Sequence, residues 1–591
     1  MDGPKLFSFD LRARTKEWVT FFVLFARLSG PYWISEKKWQ ARSLTAGLFV
    51  LTLGQVSIPV VMNLWSEKLF DALEQRALRE FLTLVAIFGG IIAANVLITV
   101  LHLKVRRDLV VAWRTWLTER MMGEWMIAGR HYQVNYMPGE HDNPDGRIAE
   151  DIRITTEYAI DLAHSLVYCF LLLVSFTQIL WRLSGSPYLE IGGISLYLPG
   201  HLVWLAILYT GLGTSIAWWL GQPLVGAANR RQMHEASFRF GLAHAREHSL
   251  QIALLRGETD ERRSLRALFR DAVEAWHRQT HALMNLNYFT ASWSILTQVF
   301  PVLVAAPRYI TGTITLGVLM QTAQGFQQMV GALSWPIDNL AKVAEWRASV
   351  ERVLGLHEAL RGTSERISSP GSPMIQAETG NRPLLAFENL TINEPDGRPV
   401  IDSFSAEIHP GDRILIAGDP GVAFKILKVV AGLWPWGGGR LRLPSDGPVF
   451  FLPQHPYLPM RPLRDTITYP LAPDAVGDQA IGEALARVGL DYLIPSLPEV
   501  ERWQEILPIG EQQRLGFARL LLFRPRWIFI QEALDALDHD DRHAMLRLLD
   551  VEFPEAAVIT IGHHPDLEVH HNRRMALVDR DVVQDCPVKL D

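Results

Sequence analysis

Only two cysteines occur in the 591 residues, Cys169 and Cys586. They stand far apart, so neither a disulfide framework nor a metal site is expected. An excess of one charge is also missing. The chain carries 57 Lys and Arg against 63 Asp and Glu, a net charge of −6, with a pI of about 6.4. That balance points to no nucleic-acid partner. There is no low-complexity tract and no short-period repeat. Met1–Lys16 is polar and charged, without a short apolar core and cleavage site, so no secretory signal is expected. What the chain has in quantity is apolar surface. Hydrophobic residues make up 49%, mean hydropathy is +0.09 and there are 19 Trp. A wholly soluble chain of this length is usually more polar, so part of it is expected in a membrane. The length allows two or more domains.

The first 355 residues read as a membrane domain. Lys16–Ser35 is aromatic and apolar between charged ends, the pattern of an amphipathic helix on the membrane surface. Six apolar stretches follow, at Leu44–Leu64, Phe81–Leu101, Ile160–Leu180, Leu202–Leu220, Tyr288–Ala306 and Ile314–Trp335. Each is close to the roughly 20 residues that cross a bilayer. Short links join them in pairs, and long polar links, 102–159 and 221–287, separate the pairs and read as helical. The first long link holds Lys104, Arg106, Arg107, Arg114, Arg120, Arg130, Arg147 and Arg153. The positive-inside rule therefore places the long links and both termini in the cytoplasm. In the last stretch Gln321, Gln324 and Gln328 fall on one helical face. They either bond a neighbouring helix or line a substrate path. Asp161 and His164, at one end of the third stretch, read either as a proton relay or as a solvated helix end.

The region 356–383 reads as a linker, with Ser368-Ser369-Pro370-Gly371-Ser372-Pro373 at its middle. Residues 384–591 alternate strand and helix patterns, as an α/β domain does. Strands are expected at Leu384–Ile392, Arg413–Ala417, Trp527–Gln531 and Ala557–Ile561, and helices at Glu511–Phe523 and Asp540–Leu549.

Within that domain Arg413–Trp436 reads as strand, glycine turn and helix, with the helix drawn from Ile426–Leu433. This is the order of a phosphate-binding P-loop, in which backbone N–H groups cradle phosphates at a helix N-terminus. The loop's chemistry is altered. Gly418 and Gly421 supply glycines, but the sixth residue after Gly418 is Phe424, and Lys425 stands where the hydroxyl belongs. Further along, Gln454 fits a glutamine linking nucleotide state to a membrane domain. Leu507–Arg514, with Gly510, Glu511 and Gln512, fits an ABC signature. Trp527–Asp538 fits a Walker B strand with Glu532 as general base and a following D-loop ending at Asp538. His563 fits a switch histidine. Six membrane helices followed by these sites in this order are the arrangement of an ABC transporter half.

The chain resembles, nearly end to end, the bacterial fused permease and ATP-binding transporters related to SbmA and BacA, the YddA-like group. The resemblance rests on Arg114-Thr115-Trp116-Leu117-Thr118, on Asp142-Asn143-Pro144-Asp145 and Arg147–Ile152, and on Glu235–Phe240 with Arg256-Gly257-Glu258. It rests also on Pro307-Arg308-Tyr309, Leu316–Gln321 and Ala431-Gly432-Leu433-Trp434-Pro435-Trp436-Gly437. It implies an exporter-type helical membrane domain followed by an α/β P-loop-type nucleotide-binding domain. It also implies ATP and Mg²⁺ as cofactors, membrane lipid as surroundings, and a homodimer or a heterodimer with a competent half. The group's transported substrates include peptides, bleomycin-like compounds and cobalamin. The location it implies is a bacterial inner membrane.

Measured against that pattern, the lysine slot holds Ala423 or Phe424 and the signature serine slot holds Pro508. The Walker B aspartate slot holds Gln531. Leu250 stands where the group usually has Glu, and no aromatic stands at Asn393-Glu394 for adenine stacking. Phosphoryl transfer is mostly positioning and electrostatics, and loss of one donor alone costs on the order of 10²–10³ in rate. Little or no ATP hydrolysis is therefore expected from the chain alone. The alternatives are a proton-driven transporter with a structural C-terminal domain, and a membrane scaffold that does not transport.

Overall fold

The computed structural model describes residues 11–136, 143–185, 188–191, 194–197, 199–368, 374–473, 475–578 and 581–587. The chain forms two compact units. One comprises Met1–Glu119 with Gly146–Leu354, the other Arg120–Asp145 with Gly355–Asp591. Part of the first long link thus belongs to the second unit.

The first unit is helical. It contains α1 (Leu11–Ser29), α2 (Lys38–Glu74), α3 (Leu78–Met126), α4 (Ile152–Leu183), α5 (His201–Glu247), α6 (Glu258–Ile310), α7 (Leu316–Leu333) and the start of α8 (Leu340–Ser368). Among the described residues, five helices are long and apolar enough to cross a membrane, at α2 to α6. At about 1.5 Å per residue, the 49, 47 and 53 residues of α3, α5 and α6 exceed one bilayer. Their surplus is the helical content of the long links. The hairpin β1 (Tyr188–Ile191) and β2 (Ile194–Tyr197) lies in a short link.

The sixth expected stretch is α7. Its glutamines lower its hydropathy, and it packs against α2, α4, α5 and α6. Gln321 is buried, and its backbone carbonyl accepts from Asn63 Nδ2 at 2.9 Å. Gln324 Nε2 donates to Ser66 Oγ at 2.9 Å. Polar groups bonded to a neighbouring helix are kept from lipid. Gly317 lies so close to α2 that a Cβ would meet the Glu67 carbonyl and the Asp71 carboxylate. The first N–H groups of α7 donate to acids of α2, Leu316 to Glu74 and Gly317 to Asp71, both at 2.9 Å. Orphan donors at a helix start are thereby satisfied by anions. Asp161 sits between Arg106 at 3.3 Å and Lys342 at 2.9 Å, and His164 bonds Gln55 at 3.3 Å. In α1, Phe21 and Phe25 pack on Trp346, and Phe22 and Val23 stay exposed.

The second unit is α/β. The region 356–383 is helical up to Ser368, which departs from the expected linker, because α8 carries straight on from the first unit's sequence. A six-stranded sheet has the order β12-β11-β6-β10-β9-β8. Its strands are β6 (Arg413–Gly418), β8 (Val449–Leu452), β9 (Trp527–Gln531), β10 (Ala557–Ile561), β11 (Arg573–Val578) and β12 (Asp581–Pro587). All its pairings are parallel except β11 with β12. A four-stranded sheet has the order β3-β7-β4-β5, from Gln376–Thr379, Gly437–Leu443, Leu385–Asn393 and Pro399–Ile408.

Strand alternation builds two cores. Trp527, Phe529, Ile414, Ile416 and Ile559 pack toward the second sheet and α9 (Pro420–Val430). Ile528, Ile530, Leu415 and Val558 pack toward α10 (Ile509–Phe523) and α11 (His539–Glu552). A parallel sheet covered on both faces reads as continuous branched runs, and that is why these strands were visible in sequence.

His571 closes the lower edge of this core. It is buried; Nδ1–H donates to the Leu567 carbonyl, and Nε2 accepts from Thr560 Oγ1 at 2.8 Å. Burial lowers its pKa to about 4. The unfolded chain therefore binds a proton that the folded one refuses. Stability from this residue is complete above pH 6.5 and falls as pH drops toward 4, by about 3 kcal/mol in all. Thermal unfolding of the full-length protein, followed across that window, is expected to show the loss. His571→Gln is expected to flatten it, and an unchanged slope in that variant would contradict the assignment.

Candidate functional site

Strand register decides where the candidate residues meet. Ile561 of β10 pairs with Ile416 of β6 on one side and Gln531 of β9 on the other. The three strands are parallel, so their carboxyl ends finish together. Gly418 ends β6, and Glu532 and His563 follow the ends of β9 and β10, where open α/β sheets bind ligands. Gly418 takes φ +130°, a backbone state that glycine permits.

The turn after Gly418 is short, and α9 begins at Pro420 rather than at the expected Ile426. Asp419 is the cause. Its Oδ1 accepts from the N–H of Gly421 at 2.7 Å and of Val422 at 3.3 Å. Pro420 follows at the first helical position, where its missing N–H costs nothing. Those N–H groups are the kind that face an anion at a helix start. Here the chain's own carboxylate holds them.

Lys425 lies one turn into α9. Its ammonium forms an ion pair with Glu394 and lies 5.6 Å from the Trp434 ring centre. Ala423 is buried, and Phe424 lies under the Lys428 ammonium at 4.3 Å. Trp434 Nε1 donates to the Asn393 carbonyl at 2.9 Å. Asn393 and Glu394 are thus engaged by α9 and the loop that follows it. The imidazole of His563 uses Nε2–H on the Gly418 carbonyl at 3.1 Å.

Glu532 adopts φ +46°, in the left-handed region. Such a residue costs about 1–3 kcal/mol and persists only when held. Its N–H donates to the Ile561 carbonyl at 2.9 Å, and its carbonyl accepts from Gln513 Nε2 at 3.3 Å. Gln513 is fully buried. It also donates to the Gln454 carbonyl at 3.1 Å and accepts from the Ala536 N–H at 3.2 Å. One amide thus ties together the segments of Gln454, Glu532 and Ala536. Sequence reading passed over Gln513 in favour of its neighbours. Its burial on the inner face of α10 was the signal available.

Gln512 caps the Gln504 and Leu507 carbonyls at 2.9 and 2.8 Å. Pro508 is the residue before α10 and offers neither N–H nor hydroxyl. Gly510 lies against the Ala536 carbonyl. Glu511 accepts from the Tyr492 hydroxyl. Asp538 caps α11 by accepting from the Asp541 N–H at 2.8 Å. Arg519 is buried and donates to the Tyr457 and Thr466 carbonyls at 2.8 and 2.7 Å. Burial pushes its pKa down to about 10, so it stays charged at neutral pH.

The loop after α9 has a second role that sequence reading did not foresee. A short helix, Arg130–Gln133, lies against it inside the second unit. Gln133 Nε2 donates to the Gly432 carbonyl at 3.0 Å. Tyr136 lies 5.1 Å from Trp434 and 6.0 Å from Trp436, ring to ring. Lys428 lies over Tyr132 at 5.6 Å, and burial pulls its ammonium below its ordinary pKa. The run Ala431–Gly437 is therefore an aromatic dock for a piece of the first link. In the first unit Gln321 and Gln324 bond α2 as described above, and Gln328 is half-buried.

The family model described as ABC transporter transmembrane region 2 matches residues 31–310. The inner membrane ABC transporter ATP-binding protein YddA of Escherichia coli is 30% identical over 93% of this chain and 96% of its own. ABC transporter D family member 2, chloroplastic, of Arabidopsis thaliana is 27% identical over 96% and 88%. The human lysosomal cobalamin transporter ABCD4 is 25% identical over 93% of each. A bacterial Atm1-family ABC exporter, solved with ATP bound, superposes with a TM-score of 0.70 at 16% identity. It covers 92% of this chain and 95% of its own, and so shares the fold. The chain belongs to the ABC transporters that fuse a membrane region to an ATP-binding domain, related to YddA and to the D-family half-transporters.

Proposed function

We propose that this half-transporter carries a nucleotide site that its own residues have closed, and that it works with a competent partner half. The observation that carries the reading is the Asp419 carboxylate on the first N–H groups of α9. A phosphate approaching that turn meets a negative charge already bonded to the donors it would use. Three further features support the reading. Lys425 is neutralised by Glu394, Gln531 offers an amide in place of an anionic oxygen, and Pro508 removes the signature donor. The residues present do not fit Mg²⁺-ATP. Glu532, His563, Gln454, Gly510 and Asp538 then act as structural members of the unit. The hydrogen bonds of His563 to Gly418, Glu532 to Ile561, Gln454 to Gln513 and Asp538 to Asp541, and the close approach of Gly510 to the Ala536 carbonyl, support that role.

The substrate is a peptide-like or other bulky small molecule, and the membrane is a bacterial inner membrane with both termini in the cytoplasm. Support comes from the basic first link and from the YddA likeness. The path runs along the inner face of α7, past Gln321, Gln324 and Gln328. A homodimer would repeat every defect in both sites; a heterodimer would bring in the partner's intact P-loop, which faces this chain's signature weakened at Pro508.

Two outcomes are expected. ATP hydrolysis by the purified full-length protein in lipid nanodiscs should match that of Glu532→Gln; hydrolysis lost in that variant would overturn the proposal. Asp419→Ala should lower unfolding stability by about 1 kcal/mol through loss of the cap. Asp419→Asn, which can still cap, should stay near the parent. Equal melting midpoints for the parent and the alanine variant would contradict the capping role.

A further inference from the structure

Two histidines and an aspartate meet at the start of α11. His539 and His543 stand one turn apart at the start of α11, an i, i+4 pair on one helical face. Their ring centres are 4.4 Å apart. Asp566 comes from the segment after β10, and its Oδ2 lies 3.4 Å from His539 Nδ1. One donor atom from each of the three falls within 4.8 Å of the others. Among the described residues this is the one group of three His, Cys, Asp or Glu side chains so arranged.

We propose that His539, His543 and Asp566 form a binding site for a zinc-class divalent ion. Two imidazoles and one carboxylate are a recurrent zinc donor set, with bonds of about 2.0–2.2 Å. Donors around one such tetrahedral ion stand roughly 3.3 Å apart, so small side-chain rotations close the site. His539 is exposed, and the other two are half-buried, which leaves a position for water. Arg542 Nη1 also donates to Asp566 Oδ2, at 3.0 Å. That bond orients the carboxylate, as partners of metal ligands commonly do. The two imidazoles favour zinc-class ions over Mg²⁺ or Ca²⁺, while the Arg542 charge lowers the affinity for any cation. The guanidinium keeps its other bonds, to the Leu534 and Leu537 carbonyls.

The position gives the site its consequence. His539 directly follows Asp538, the cap of α11, and Asp566 lies three residues after His563. A bound ion fastens the segment after β9 to the segment after β10.

The test is titration of ZnCl₂ into full-length protein, stripped with EDTA and carrying no histidine tag. One Zn²⁺ per chain with micromolar affinity is expected. His539→Ala combined with His543→Ala should weaken it by more than about tenfold, and His563→Ala should leave it unchanged. Absence of binding, or equal affinity in the double variant, would overturn the proposal. A reading that needs no variant is Cu²⁺ electron paramagnetic resonance of the parent protein. Coupling to two imidazole nitrogens is expected, and an all-oxygen signal would refute the site.

Discussion

The second unit depends on burial of one parallel sheet on both faces. β6, β9 and β10 are inside, with Trp527, Phe529 and Ile559 on one side and Ile528, Ile530 and Val558 on the other. Each fully buried side chain of this kind contributes about 1.5–3 kcal/mol of apolar transfer. That burial fixes the register, and the register aligns the carboxyl ends. A one-residue slip would send every core side chain to the wrong face. The positions of Gly418, Glu532 and His563 are therefore set by packing.

That separation of scaffold from chemistry is the physical content of the candidate site. Asp419 shows how little is needed. One carboxylate, on the residue just before the helix, satisfies the donors that an anion would otherwise take, and it does so within a turn. Gln513 shows the opposite. A single buried amide holds the segments of Gln454, Glu532 and Ala536, and its loss would leave buried groups unpaired. These bonds all lie within the second unit and join the ends of its strands to α10.

Much of this was legible in sequence, and the reasons are local. β6, β9 and β10 announced themselves as branched apolar runs, and the long helices as apolar stretches with basic links. The start of α9 was missed by six residues, although Asp419-Pro420 is an ordinary capping signal. The identity of α7 was less plain, because its glutamines look unsuited to lipid until the bond of the Gln324 amide to Ser66 and the burial of Gln321 are seen. The expected linker ran on as helix through its polar first half. Pairings such as Glu394 with Lys425 were out of reach, since nothing local links them. The aromatic dock was the least accessible. Gln133 and Gly432 stand 299 positions apart, and the run Ala431–Gly437 carries no local sign of a partner.

The most direct test of a self-closed site is equilibrium binding of a fluorescent ATP analogue to the purified full-length protein, with and without Mg²⁺. A relative with an intact P-loop serves as control. The account predicts no saturable binding up to millimolar nucleotide and no effect of Mg²⁺. Saturable, Mg²⁺-dependent binding at micromolar concentration would contradict it.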